Sequence, residues 1–493
     1  MTQPALLLRT RRLRAARGVT VATDVELTAS AGDVIAVEGP NGSGKTTLLT
    51  ATAGLLPVRG DRVRPATVGY APERASALPR MATGRWLVGL ARTSGLSRAD
   101  SARRADEVLQ RLGLDAAAQR PLHVLSRGNT QRALVAQALI AEPDLVILDE
   151  PAGGLDDDGV TRVAAEISRA ADRNAIVLVA RHPTAPLPLP AGTTWRFTDG
   201  TITALRRDGS AATQVMVVET GDGVIRRVPA ADLPGVLRSA LDTGLSIRRV
   251  EPVLADVPQR TTAPAAGSPA MQRTGAVTRV LHGAAHRARL LAMSQWFAAP
   301  ALLFFAVLGT IYASDAGPPL QAAAVTAIAL VAVMMWLTVQ AHRVDGRELA
   351  RAFAVHVGGR ARAHLATDLS LVPYAAVLTA VAVLIPVLTQ PQSEQHPRAL
   401  VLRMIALHLG AALFGAGLGS ALALIERMGY RLLVAVAVFL GMIVLPHTPL
   451  TPLLRLSSNA VTLVTPVSVQ VAWLCVPGLV LMAVAAWTAT RLS

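Results

Sequence analysis

Lysine is almost missing from this chain. Of 48 basic side chains in 493 residues, every one but Lys45 is arginine. GC-rich codons account for the arginines alongside the abundant Ala, Gly, Pro and Val, and leave the one exception to be explained. Cysteine is nearly absent too: the single Cys475 excludes an intrachain disulfide and, set in an apolar run, reads as a small packed hydrophobe. Aromatic residues make up 3% of the chain, too few for base-stacking platforms, and the arginines behind the net charge of +15 are dispersed rather than patched. No nucleic-acid partner is therefore expected. The opening stretch "MTQPALLLRTRRLR" lacks the apolar core of a signal peptide, so the first half is expected to stay in the cytoplasm.

What is present divides into two halves. Residues 1 to about 295 mix charged and apolar residues as a water-soluble domain does, whereas residues 296 to 490 hold long uncharged runs that lift the mean hydropathy to +0.41. The length suits two or three domains, and no internal repeat is visible.

Lys45 lies in "GPNGSGKTT", residues 39–47, which matches G-x-x-x-x-G-K-[ST]. In such a loop Gly39, Asn41, Gly42 and Gly44 let backbone N–H groups approach phosphate oxygens, Lys45 supplies a point charge, and Thr46 and Thr47 open the following helix. A guanidinium is a wide planar fork and would crowd a loop closed around phosphate, so lysine is favoured here on physical grounds. An apolar run, "DVIAVEG", precedes the loop and a helical "TTLLTATAGLL" follows it, the strand–loop–helix order the motif requires. Downstream, "PDLVILDEP" ends an apolar run on Asp149 and Glu150. Two carboxylates there suit one for a magnesium shell with Thr46 and one to polarise water for attack on a γ-phosphate; the plainer alternative is an acidic loop after a strand.

Between these motifs, "VLSRGNTQRALVAQALIAEP" resembles the signature region of the nucleotide-binding domain of ABC transporters. The resemblance spans about residues 5 to 205. "LSRG" keeps Ser126 and Gly128 of the usual LSGGQ and replaces a glycine with Arg127 and the glutamine with Asn129. "GYAPE" puts Glu73 where glutamine is commonest, "GGLD" resembles the D-loop with Asp156, and His182 in "VARHP" falls at the switch-histidine position. The resemblance implies ATP and Mg2+ as cofactors, Glu150 as the catalytic base with His182 near the γ-phosphate, and Thr46, Glu73 and Asp149 around the metal. It also implies that Ser126 and Gly128 contact the ATP held by a second copy, so that two chains work together. One departure stands out: no Phe, Trp or Tyr precedes Tyr70, which leaves Arg17 or a neighbour in "LRAARGV" to stack on adenine.

The expected fold class is an α/β P-loop ABC ATPase domain joined to an all-α polytopic membrane domain of six transmembrane helices. Its expected parts are the ATPase at 1–208, a small α/β appendage at 209–254, a flexible Pro/Ala/Ser/Gly-rich linker at 255–275, an amphipathic connecting helix at 276–295 and the membrane domain at 296–493. Apolar runs lie near 296–314, 320–341, 369–389, 404–425, 432–446 and 468–490; the fifth is short, and the segment after it reads as a dip into the outer leaflet. Arginine placement puts both termini on the cytoplasmic side of a bacterial inner membrane. Loop 342–365 either docks on the ATPase or is a solvated positive-inside loop. Gly415 and Gly419 have small-xxx-small spacing for close helix packing. His408, Arg403 and Asp368 are candidates for contact with substrate or headgroups.

By that resemblance, the chain is expected to be a homodimeric ATP-driven exporter of a hydrophobic or amphipathic drug, antibiotic or peptide, with membrane lipid around it. Export of a lipid or glycolipid, a non-transporting membrane ATPase that senses and signals, and a heterodimer with one degenerate site are the alternatives.

Overall fold

In a computed structural model the described residues are 5–15, 18–182, 187–207, 215–220, 225–229, 246–252, 274–313, 319–389, 398–425 and 467–489, together with residues 238, 434, 437–438, 441–442, 448–450 and 453–454. The chain divides into two compact units. The first comprises Met1–Arg74, Ala102–Gln119 and Leu125–Gln272; the second comprises Ala75–Ser101, Arg120–Val124 and Arg273–Ser493.

The first unit is α/β. Strands β1 (Leu6–Arg14), β2 (Thr20–Ala29) and β4 (Gly60–Val63) form an antiparallel sheet in the order β2-β1-β4. β3 (Val34–Glu38), β5 (Val68–Ala71), β6 (Leu145–Asp149), β7 (Ile176–Arg181), β8 (Gly192–Thr198) and β9 (Thr201–Arg207) form a second sheet ordered β5-β6-β7-β3-β8-β9. All of its neighbours pair in parallel except β8 and β9. Every residue of β3, β5 and β6 is buried, which is why they read as unbroken apolar runs rather than alternating ones. Helices α1 (Lys45–Thr52), α4 (Arg127–Leu139) and α5 (Asp157–Asp172) pack on these strands. A third small sheet, β11-β10-β12, joins Ile225–Pro229, Val215–Thr220 and Ile247–Pro252 in antiparallel register. Its strands lie within residues 209–254; all but Arg238 of the helix expected at "ADLPGVLRSALDTG" lies outside the described residues, as does most of the 255–275 linker.

The second unit is helical. It combines α2 (Thr83–Thr93) with α6 (Ala276–Ser294), α7 (Ala298–Ala313), α8 (Pro319–Ala341), α9 (Gly346–Val357), α10 (Arg360–Leu369), α11 (Val372–Thr389), α12 (Arg398–Ala423) and α13 (Val467–Thr488). Among the described residues four helices are long and apolar enough to cross a membrane: Pro319–Ala341, Arg360–Leu388, Arg398–Ala423 and Val471–Thr488. The first expected run is the 16-residue α7, which qualifies only together with α6, the two being bent by 76° at their junction. At 1.5 Å per residue α7 alone is too short for about 30 Å of hydrocarbon. Most of the fifth expected run and most of the stretch expected to dip into the outer leaflet lie outside the described residues.

Glycine sets the helix spacing in this unit. A Cβ on Gly415 would stand 2.4 Å from Val331 O and one on Gly419 2.5 Å from Met335 O, so α12 lies directly on the backbone of α8 through the small-xxx-small pair. Gly415→Ala should therefore push α8 and α12 apart at a cost of about 1–3 kcal/mol. Gly309→Ala, at a position with no atom near a new Cβ, should be neutral. Thermal unfolding of the two variants in the same detergent checks this: equal midpoints would contradict the packing.

Candidate functional site

The first unit's candidate site forms at the C-terminal ends of β3 and β6. Leaving β3, the chain turns through residues 39–44 and starts α1 at Lys45. The N-cap, Gly44, has φ 108°, and a Cβ there would meet Val21 Cβ at 2.7 Å, so both conformation and space demand glycine. Lys45 is 6% exposed, and its Nζ donates to Gly39 O at 2.9 Å and Pro40 O at 3.2 Å. The same ammonium stands 3.7 Å from the Glu150 carboxylate.

β6 delivers the acids. Asp149 ends the strand almost fully buried, and its Oδ2 accepts from Thr46 Oγ1 at 2.7 Å. Burial pushes the Asp149 carboxyl up to about 6; the charges of Glu150 and Glu73 push the same way, while the Thr46 hydrogen bond and Lys45 oppose them. The donors gathered here are oxygens and the local charge is negative, the chemistry a hard divalent cation requires, so Thr46 and Asp149 fit Mg2+. Glu73 adds to that charge and pairs with Arg74 at 3.0 Å.

Glu150 has φ 47°, the left-handed region that a non-glycine residue adopts only when its surroundings impose it. Here they do: Glu150 N donates to Ala180 O at 3.0 Å, and Glu150 O accepts from Gln131 Nε2 at 3.3 Å and Gly153 N at 3.2 Å. These bonds turn the chain sharply after β6 and separate the direction of Glu150 from that of Asp149.

The remaining expected residues take defined places in the same unit. Ser126 is the exposed N-cap of α4 and accepts from Asn129 N at 3.3 Å; Gly128 lies in that helix's first turn. Asp156 caps α5, its Oδ1 accepting from Gly159 N at 2.9 Å. His182 follows β7 and is exposed. Asn41 and Gly42 are exposed on the loop, while Gly39 is buried beside Phe197. Arg17 lies outside the described residues. The structure thus brings Lys45, Thr46, Asp149 and Glu150 together, while Ser126 is an exposed cap of α4.

Sequence reasoning missed two supports. Gln131 reaches back to the Glu150 carbonyl; its signal was a glutamine one turn into the helix that follows Ser126. Glu38, 4% exposed just before the loop, is held by Arg181 at 2.8 Å and Arg196 at 3.2 Å. Its signal was an acid closing an otherwise apolar strand.

In the second unit, the candidate contact residues separate. His408 is fully buried: its Nδ1 donates to Met404 O and its Nε2 lies 2.8 Å from Thr326 Oγ1, the pattern of a satisfied interior histidine. Arg403 is exposed on α12. Asp368 is buried with His342 and His364.

The model of the "ABC transporter" family matches residues 22–153. Among curated proteins, the zinc import ATP-binding protein ZnuC of Cereibacter sphaeroides is 39% identical over 142 residues, 28% of this chain and 56% of that protein. ZnuC of Pseudomonas entomophila is 35% identical over 174 residues, 34% of this chain and 64% of that protein. The chain thus spans a little over half to just under two thirds of the curated relatives it matches. Among solved structures, a putative metal-chelate type ABC transporter in an inward-facing conformation aligns at 24% identity with a TM-score of 0.37, covering 41% of this chain and 84% of that one. An ABC transporter ATPase domain is present over residues 22–153, in an α/β P-loop fold.

Removing Arg181 should leave the buried Glu38 carboxylate held by Arg196 alone. Arg181→Leu is expected to cost about 1.5–3 kcal/mol of stability, and Glu38→Leu with Arg181→Leu to recover part of that loss, since the remaining Arg196 is a third exposed. Urea unfolding of the purified chain, followed by far-UV circular dichroism, checks the order; a double variant as unstable as the single one would contradict it.

Proposed function

We propose that the chain is one half of a homodimeric, ATP-driven membrane transporter, and the convergence of Lys45, Thr46, Asp149 and Glu150 at the ends of β3 and β6 carries the reading. The backbone N–H groups of residues 39–47 and the N-terminus of α1 would hold the ATP phosphates. Lys45 would exchange the carbonyls of Gly39 and Pro40 for phosphate oxygens. Thr46 and Asp149, with Glu73 nearby, would hold Mg2+, which neutralises charge developing on the phosphoryl oxygens when bound. Glu150, set off from Asp149 by its left-handed backbone, would accept a hydrogen bond from the attacking water, and His182 would face the γ-phosphate. The exposed Ser126 and Gly128 suit closure over the nucleotide of a second copy, with Asp156 beside them.

The membrane half is proposed to move cargo, and α2, α6 and α9 of the second unit to link it to hydrolysis. Three polar joints support this. Ser76 Oγ and N donate to Glu348 Oε2 at 2.5 and 3.1 Å. Burial raises the Glu348 carboxyl, but the Ser76 bonds, a bond from its own backbone and the Arg351 charge together outweigh it and leave it below its ordinary value. Ser94 Oγ lies 2.6 Å from His356 Nδ1. Arg92 Nη2 meets His282 Nε2 at 2.9 Å while His282 Nδ1 donates to Arg92 O at 3.0 Å, which fixes a neutral tautomer. Loop 342–365 thus contains a helix, α9, bonded to the segment around α2 rather than standing free in solvent.

Weakly polar helices favour export of a hydrophobic or amphipathic compound, a lipid or glycolipid included, across a bacterial inner membrane. Import of a metal ion is the second reading, favoured by relatives that are zinc import ATP-binding proteins and match only about a third of the chain. Proteoliposomes with the ATPase outward, given ATP and either a fluorescent amphiphile or radioactive zinc, separate the two by which compound moves and in which direction. Glu150→Gln should abolish movement and hydrolysis while ATP still binds, and Lys45→Arg should abolish binding; hydrolysis by either at the unmodified rate would sink the proposal. Glu348→Gln should keep basal hydrolysis and lose at least about half of its stimulation by cargo, since it weakens one of the three joints. Full stimulation in that variant would remove the Ser76–Glu348 joint from the coupling path.

A further inference from the structure

Three side chains from separate parts of the second unit converge where no step of the proposed cycle uses them. His342 follows α8, and His364 and Asp368 lie one turn apart on α10. His342 Nε2 lies 2.8 Å from Asp368 Oδ1, and His364 Nε2 lies 3.9 Å from Asp368 Oδ2. The two imidazole rings are 4.3 Å apart between centroids. One ligand atom from each residue falls within 4.8 Å of the others.

We propose that His342, His364 and Asp368 bind a divalent transition-metal ion, with zinc the best match. Two imidazole nitrogens and one carboxylate oxygen are borderline donors that suit zinc and poorly suit Mg2+ or Ca2+. Tetrahedral zinc with bonds of about 2.0–2.1 Å needs ligand atoms roughly 3.3 Å apart, so the present spacings bracket what the ion requires. Burial favours the same reading: the His364 and Asp368 side chains are 8% and 3% exposed, while His342, at 12%, leaves a way in. Three protein ligands leave a fourth position for water or another ligand.

The surroundings supply the outer support such sites use. Ser420 Oγ, on α12, donates to Asp368 Oδ2 at 2.9 Å and lies 2.7 Å from His364 Nε2. It orients the carboxylate from a third helix. Binding through Nε2 would shift each neutral imidazole's single proton to Nδ1, freeing the Nε2 lone pair that now faces Asp368 or Ser420, with no net proton released from the rings. An ion here would cross-link the end of α8 to α10 and, through Ser420, to α12. This site is independent of the direction of transport and of the cargo.

The test uses the full chain in nanodiscs, stripped with a chelator and kept nucleotide-free with excess Mg2+, so that oxygen-only sites are occupied. Zinc is titrated against a chromophoric chelator, and Co2+ is added separately for its visible spectrum. The proposal expects one zinc per chain that resists Mg2+, and intense tetrahedral Co2+ bands. His342→Ala, His364→Ala and Asp368→Asn should each weaken zinc binding by at least about tenfold, and Ser420→Ala by about tenfold or less. Co2+ bands no stronger than those of the hydrated ion, or zinc affinity unchanged in His342→Ala, would reduce the cluster to a hydrogen-bonded one and overturn the proposal. Because the Co2+ spectrum is read on the unmutated chain, a variant that fails to fold does not obscure the result.

Discussion

The first unit depends on a carboxylate placed where carboxylates are least comfortable. Asp149 ends a strand whose five residues are all buried, and its ionised form is held by Thr46 and Lys45 against burial and against two neighbouring acids. That arrangement fixes the distance between the loop after β3 and the end of β6, because Thr46 and Asp149 bond across two strands of one sheet through β7. A cation would relieve the crowding of negative charge around Asp149, which is why the same residues read as a site and as a strain on the fold.

The parts of this site that sequence alone revealed are those carried by contiguous chain. The loop 39–47 and the pair Asp149–Glu150 each occupy one short stretch, while Ser126 and Asp156 stand out only by resemblance to the signature and D-loop, and their helix-capping roles come from the structure. The left-handed Glu150 was not legible, because its conformation is imposed by Ala180, Gln131 and Gly153 rather than by its own neighbours in sequence. Glu38 was hidden for a similar reason: its partners are 143 and 158 residues away.

In the apolar half, hydropathy located the helices well and their partners poorly. It marked α8, α12 and α13, and the glycine spacing marked which face of α12 meets α8. It could not show that Ala75–Ser101, a stretch inside the expected ATPase boundaries, clusters with the helical unit. The polar side chains that bind it there, Glu348, His356 and His282, sit in helices whose charge reads as ordinary cytoplasmic loop composition. His364 and Asp368 do carry an i,i+4 signal, but His342 joins them only through the packing of α8 on α10.

Two copies of this chain are proposed to complete each nucleotide site, with Lys45 from one and Ser126 from the other. The most direct measurement is the structure and mass of the Glu150→Gln chain in nanodiscs with Mg2+ and ATP. The account predicts a two-chain particle holding two nucleotides, each lying between the phosphate loop of one protomer and the Ser126 helix of its partner. A single chain that binds ATP with Ser126 facing solvent, at concentrations where the intact chain hydrolyses it, would contradict it.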